Sequence, residues 1–284
     1  MKVASPKIEG NRTIWHIELD SLDASPGVDA LWLNGRLRDV LHADLQAFWL
    51  AAVLGRFAAH QLTLPTPIQP ELANALTDMV GCNIRFGPID GAPRRAHEGT
   101  LTGVLIRDEL DFLLAELMFD VDVVRVACPR DCNELGRLST NFPIATNAGW
   151  VLRRQSAADT MGELASFVAL AQTYTVGHII SFQLKTEFGP LDTYRVTDAL
   201  KFAGIRLTTP FADLSIDEFR RAMPSIGAGD PLFQRRLDHR YRLQAAPVAE
   251  VATRSDEELY SNVTERLRIG VKLGILPTRI CFAS

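Results

Sequence analysis

The sequence predicts an α/β protein in which a parallel sheet has helices on both faces. From Thr100 onward, short apolar segments rich in β-branched residues alternate with segments of helical periodicity. This alternation is typical of βαβ units, whose helices cover a parallel sheet. The chain has 284 residues, of which 47% are hydrophobic, so it can bury a sizeable core and is not a disordered chain.

The segments before residue 90 predict a smaller α/β unit. Its strands are expected at residues 13–19, 30–33, 62–64 and 83–86. Asn34-Gly35 suggests a hairpin turn after the second strand, and Pro65 and Pro67 are expected to close the third. A long apolar helix is predicted over 42–60. A second helix is predicted between Pro70, a favoured first-turn residue, and Gly81, a helix terminator.

The following segments predict the parallel sheet. Strands are expected at residues 101–106, 121–127, 144–146, 178–182 and 205–209. Helices are expected at 109–118 and 158–172, between the chain break at Gly189-Pro190 and Gly204, and after a cap at Ser215. His178 lies inside an apolar strand and is expected to be a hydrogen-bonded core residue. A last helix is predicted over 257–273. We therefore predict three parts, an N-terminal domain over 1–90, a main domain over 91–230 and a helical extension over 231–284.

Charge and hydropathy exclude several classes of function. The net charge of −4 offers no basic field for nucleic acid. No apolar run reaches membrane-spanning length, so we expect no membrane association of that kind. The first ten residues lack the apolar core of a signal peptide, and we expect a cytoplasmic protein.

The cysteines do not indicate a metal site. Cys128 and Cys132 are the only close pair among four cysteines. Zinc requires four ligands, and no further Cys or His lies at a suitable spacing. We predict two reduced thiols and no metal.

The segment 189–219 carries a resemblance to a known family. Leu191-Asp192-Thr193-Tyr194-Arg195 precedes a helix, a strand, Pro210 and a new helix. This order resembles the ATP-pyrophosphatase (PP-loop) superfamily, with its HUP-like fold, and is nearest to the cyano-deazaguanine synthase-like proteins. The passage 65–74 is similar to the front domain of some relatives. The resemblance implies a ligand site where the turns 107–111, 147–150, 182–192 and 208–213 converge beyond the carboxyl ends of the strands. Its ligand-binding residues would be Arg107, Asn147, Asp192 and Arg195.

The phosphate loop that this resemblance implies is missing. An active PP-loop enzyme needs a Ser-Gly-Gly element after its first strand, because glycines let backbone N–H groups surround a pyrophosphate. The sequence contains no Ser-Gly-Gly and has Arg107-Asp108-Glu109-Leu110-Asp111 at that position. Each acid placed ~4 Å from a phosphate costs on the order of 4 kcal/mol at an effective dielectric of about 20. The acids also suit the start of a helix. The Cys-rich zinc element of the family is absent as well.

Two functions are therefore open. The first is a degenerate PP-loop ATPase-like protein, a pseudoenzyme that binds a nucleotide-like small molecule, a protein partner or a second copy of itself. The second is a ligase or amide-processing enzyme, dependent on ATP or on a metal such as magnesium. Its rebuilt acidic site would use Asp108, Glu109 and Asp111 as catalytic residues.

Overall fold

The computed structural model describes part of the chain. The described residues are 1–34, 42–81, 83–92, 96–107, 111, 114–115, 119, 124–127, 142–143, 146–148, 151, 161–182 and 193–222. They form a mixed α/β structure with two sheets. The predicted α/β class is confirmed.

The first sheet mixes antiparallel and parallel strands. Its strands are β1 (Lys2–Val3), β2 (Lys7–Glu9), β3 (Arg12–Glu18), β4 (Ala30–Asn34), β5 (Gln61–Ile68) and β6 (Arg85–Ile89). The hydrogen-bonded order is β2–β3–β1–β5–β6, with β4 paired to β3. β3 is antiparallel to its partners, whereas β5 is parallel to β1 and β6. Strands occur near all the predicted positions, but β6 begins two residues late and continues to Ile89.

β5 passes through Pro65 and Pro67, where the sequence predicted its end. The pairing of β5 with β6 joins Thr63 to Gly87 and resumes at Ile68, so the ladder is interrupted between them. Proline has no N–H to donate and is tolerated in a sheet at such an interruption. The prediction that the two prolines close the strand was wrong for this reason.

Two helices cover the first sheet, α1 (Ala43–Leu54) and α2 (Pro70–Val80). Residues 44–54 of α1 are all buried, as expected for a helix that is apolar on most sides. α1 is shorter than predicted and continues as a 3₁₀ turn over Gly55–Phe57. α2 begins with Pro70, and its C-cap Gly81 has a φ of 71°, a left-handed conformation that suits glycine.

The second sheet is parallel throughout. Its strands are β7 (Leu101–Ile106), β8 (Val124–Ala127), β9 (Phe142–Pro143), β10 (Val176–Ser181) and β11 (Arg206–Thr208). The order is β11–β10–β7–β8–β9, with β7 at the centre. Val104, Leu105 and Ile106 of β7 are at most 1% exposed. Because successive side chains point to opposite faces, both faces of the sheet are covered there.

The helices of this part follow the predicted signals. They are α3 (Met161–Leu170), α4 (Thr193–Phe202) and α5 (Ile216–Ala222). The described residues of the predicted helix 109–118 include helical Asp111. Ser215 and Glu218 form a reciprocal capping box at α5. The Glu218 N–H donates to Ser215 Oγ at 3.2 Å, and the Ser215 N–H donates to Glu218 Oε2 at 2.8 Å.

The two sheets share one hydrophobic cluster. α1 packs along α3, and α2 packs along α4, so helices of both parts meet between the sheets. The cluster includes Trp15 and Leu62 of the first sheet and Ile179 and Leu207 of the second. Residues 90–100 connect β6 to β7, whereas 231–284 lie outside the described residues, and the domain boundaries at 90 and 230 stay predictions. No helix in the described part of the chain is long and apolar enough to cross a membrane.

Candidate functional site

The strand order creates a topological switch point between β7 and β10. The chain leaves β7 toward β8 on one side of the sheet, and it leaves β10 toward β11 on the other side. In open parallel sheets, ligands bind in the crevice that forms at the carboxyl ends of two such strands. Here these ends are Ile106-Arg107 and Ser181-Phe182. This pair of strand ends is the candidate site.

A buried ion pair occupies the end of β7. Arg107 Nε donates to Asp111 Oδ2 at 2.7 Å, and Arg107 Nη2 donates to Asp111 Oδ1 at 3.1 Å. The backbone N–H of Arg107 also donates to Asp111 Oδ2, at 3.0 Å. Both side chains are 0% exposed. Removing one partner of such a pair would leave an uncompensated buried charge, at a cost of about 3–5 kcal/mol.

The same guanidinium connects β7 to β10. Arg107 Nη2 donates to the carbonyl oxygen of Phe182 at 3.1 Å. The Phe182 ring lies 6.3 Å from that of Phe119 and 6.0 Å from that of Phe211, between ring centroids. Phe211 in turn contacts Phe219 of α5 at 4.9 Å. Four phenylalanine rings thus form a connected aromatic group that includes the residue bonded to Arg107.

The structure describes one of the three carboxylates that were predicted to be catalytic. Asp111 lies at the switch point, where its carboxylate accepts hydrogen bonds from Arg107. Asp108 and Glu109 lie outside the described residues. The structure therefore brings together one predicted catalytic residue, Asp111, and one predicted ligand-binding residue, Arg107.

Asn147 bonds to the edge of the first sheet. Its Nδ2 donates to the carbonyl of Ala30 at 2.8 Å, and its Oδ1 accepts the backbone N–H of Trp32 at 2.9 Å. The preceding residue, Thr146, forms an isolated bridge with Leu33. The Asn147 amide thus acts as an additional partner for β4. Its predicted ligand-binding role remains untested.

The remaining predicted ligand residues, Asp192 and Arg195, are close to the start of α4 in the sequence. Arg195 is exposed, and its guanidinium lies 3.7 Å from the position that a Cβ on Gly81 would take. It therefore lies near the C-terminus of α2, where positive charge is favourable. Asp192 lies outside the described residues.

His178 of β10 is a hydrogen-bonded core residue, as predicted. Its Nε2 lies 2.9 Å from Thr208 Oγ1, and its Nδ1 lies 3.4 Å from Thr102 Oγ1. Burial, together with the positive charge of Arg206, lowers the pKa of His178 from 6.5 to about 4. The imidazole is therefore neutral near pH 7.

The described residues include no group of three or more His, Cys, Asp or Glu side chains that could hold a metal ion. Cys128 and Cys132 lie outside the described residues. The donors that meet at the switch point, a guanidinium and a backbone N–H, suit an anion. The acceptors at the switch point, the Asp111 carboxylate and the Phe182 carbonyl, already bond to Arg107.

Two groups at the switch point were not predicted. The Phe182 carbonyl accepts from Arg107, and the Ser181 hydroxyl is buried without a hydrogen-bond partner among the described residues. A backbone carbonyl leaves no signal in a sequence, and serine in an apolar strand is not specific. Arg107 and Asp111, in contrast, lie in the turn that the sequence placed at the ligand site.

Comparison with known proteins gives no match, whether to protein-family models, to curated proteins or to solved structures. The chemistry of this site is therefore inferred from its own geometry.

Proposed function

We propose that this protein is a degenerate PP-loop ATPase-like protein that acts by binding a ligand or a partner and does not hydrolyse ATP. The observation that carries the proposal is the buried pair Arg107–Asp111 at the end of β7. In a sheet of this strand order, phosphates would approach this strand end and would need free backbone N–H groups. The Arg107 N–H is already bonded to Asp111 Oδ2.

The strand order supports the comparison with PP-loop proteins. In chain order, the strands of the second sheet are arranged 5–4–1–2–3, which is the arrangement of a doubly wound nucleotide-binding sheet counted from the other edge. The sheet is thus suited to ligand binding, while the turn after its first strand lacks the glycines that a polyphosphate requires. A binding role agrees with both observations.

The alternative function, an enzyme with a rebuilt acidic active site, would require the Asp111 carboxylate to change its hydrogen bonds. As a general base or a magnesium ligand, this carboxylate would have to leave three hydrogen bonds and expose the Arg107 charge. No contact of the described residues favours that movement. We therefore keep binding without hydrolysis as the proposal.

A thermal-shift titration of the full chain with ATP, AMP and magnesium, alone and combined, tests the proposal. A ligand that binds the folded state at a hundred times its Kd adds about 2.7 kcal/mol to the free energy of unfolding. We expect no magnesium-dependent shift with ATP and no release of pyrophosphate or phosphate. A magnesium-dependent ATP shift that Asp111→Asn abolishes, or turnover of ATP by the wild-type protein, would refute the proposal.

A further inference from the structure

We propose that strand β2 is the contact surface for a second copy of this chain, with the two copies of β2 paired antiparallel about a twofold axis at Ile8. β2 is the outermost strand in the order β2–β3–β1–β5–β6 of the first sheet. The switch point, in contrast, belongs to the second sheet. The proposal therefore does not depend on the function proposed for the switch point.

One edge of β2 is open, because no described strand pairs with it. The other edge pairs antiparallel with β3, where Ile8 lies opposite Thr13. All three residues of β2 are exposed. The outward N–H and C=O groups of such an edge strand can bond to another extended strand. β2 is therefore available to extend the first sheet across a contact between two chains.

The charges of β2 are complementary to themselves in this register. In an antiparallel pair centred on Ile8, Lys7 of each copy lies opposite Glu9 of the other, so the contact of opposite charges occurs twice. Within the described part of the chain, neither side chain forms a hydrogen bond or an ion pair. Two charges of the same sign would repel in this arrangement, whereas one lysine and one glutamate attract. The charge pattern therefore favours a second copy as the partner.

Ile8 adds an apolar contact at the axis. Its side chain is 57% exposed. Because residues opposite each other in an antiparallel pair share a face, Ile8 lies on the face of the sheet where Thr13 and Trp15 are buried. Pairing about the axis places the two Ile8 side chains against each other on that face. The contact therefore removes apolar surface from water at the margin of the core.

The contact is short, and we expect a weak dimer. Three residues from each copy bury less surface than the roughly 1,000 Å² that a specific stable interface needs. Because both copies use the same patch, the contact is closed at two chains and does not continue to a third. We expect a Kd on the order of 100 µM.

The experiment is charge reversal with rescue, measured by sedimentation equilibrium of the full chain from about 10 to 500 µM. Lys7→Glu and Glu9→Lys each place like charges opposite one another twice, and each should raise the Kd at least about tenfold. The double variant Lys7→Glu/Glu9→Lys restores opposite charges and should return the Kd to within about threefold of the wild-type value.

Lys2→Glu is the matched control, because it makes the same change of charge as Lys7→Glu in the same sheet. Lys2 already pairs within the chain with Glu18 at 3.0 Å, and both side chains are 59% exposed. Its reversal should leave the Kd unchanged. A wild-type protein that stays monomeric over the whole range, or single variants with the wild-type Kd, would refute the proposal.

Ile8→Cys tests the position of the axis. The pairing places the two Cα atoms of residue 8 about 4.5–5.5 Å apart, which suits a disulfide. With oxidised glutathione, Ile8→Cys should form a covalent dimer that the wild-type protein, with its four cysteines, does not form. Leu22→Cys, at a position that is 69% exposed, is the matched control. Equal covalent dimer in both variants would refute the pairing. ATP turnover would refute the proposed function without affecting these readouts.

Discussion

Arg107 and Asp111 carry opposite charges where water does not reach them. A pair of this kind contributes little net stability compared with apolar side chains of the same volume, because both charges lose their hydration. Breaking it from one side is costly, since the other charge stays buried. The pair therefore makes each residue dependent on the other and fixes the position of the guanidinium at the switch point.

His178 is the second residue whose charge state matters. Its folded pKa, about 4, lies below the value of 6.5 expected in the unfolded chain. Between these pH values the unfolded state binds more protons, so the stability contributed by the neutral imidazole is complete above pH 6.5 and decreases as the pH falls toward 4.

We therefore expect His178→Gln to be less sensitive to acid than the wild-type protein. Glutamine can still bond to the two threonines but does not titrate. Urea unfolding at pH 7, 6, 5 and 4 should show the wild-type protein losing about 1–2 kcal/mol more than the variant, after allowance for solvent screening. His60→Gln, at an exposed position, is the matched control and should follow the wild-type curve. Parallel curves for wild type and His178→Gln would contradict this explanation.

At the level of secondary-structure elements, Asn147 links two parts of the chain. Its side-chain amide takes the place of a neighbouring strand by bonding to one carbonyl and one N–H of β4. Asn147 and Trp32 are separated by 115 residues in the sequence. The amide thus contributes to the position of the segment 146–148 against the first sheet.

Asn147→Ala should destabilise the protein by about 1–3 kcal/mol, because it leaves a partly buried carbonyl and N–H without this partner. The measurement is equilibrium unfolding in urea. Asn74→Ala is the matched control, since Asn74 is exposed on α2 and alanine is a better helix former. Equal stabilities of the Asn147→Ala and wild-type proteins would show that the β4 contacts do not stabilise the fold.

At the level of the whole molecule, the shared hydrophobic cluster couples the two sheets. α1 and α2 pack along α3 and α4, and both sheets contribute buried residues to the same cluster. Residues 97–99 pack closely on β10: His97 Nε2 bonds to the Val176 carbonyl at 2.7 Å, and Gly99 contacts Gly177 without room for a Cβ. Two parts joined in this way are expected to unfold together.

We expect the two sheets to unfold in a single transition in guanidinium chloride. Fluorescence reports mainly on the first sheet, because three of the four tryptophans, Trp15, Trp32 and Trp49, lie in or against it. Hydrogen exchange of peptides from β10, followed by mass spectrometry, reports on the second sheet. The two midpoints should coincide. Exchange of β10 at a lower denaturant concentration than the fluorescence transition would indicate that the sheets unfold separately.

Local signals predicted most of the elements, whereas contacts between distant segments did not follow from the sequence. Pro70 and Gly81 marked the ends of α2, and Ser215 marked the start of α5. These signals act within a few residues. The strand order of both sheets, the bonds of Asn147 and the contact between Arg107 and Phe182 depend on segments that meet only in the folded chain. For this reason the sequence placed Arg107 and Asp111 in one turn and could not predict that the Arg107 guanidinium also reaches the Phe182 carbonyl.

The central position of β7 affects how the chain can fold while it is being synthesised. Seventy-five residues separate Arg107 from Phe182, and a ribosome adding about 5–20 residues per second needs roughly 4–15 s to make them. During that interval β7 has no β10 beside it, and the Arg107 guanidinium lacks its carbonyl partner. Asp111, only four residues away, emerges almost at once and can neutralise the guanidinium from the start. The nascent chain can therefore balance the charge of Arg107 with Asp111 before β10 has been synthesised.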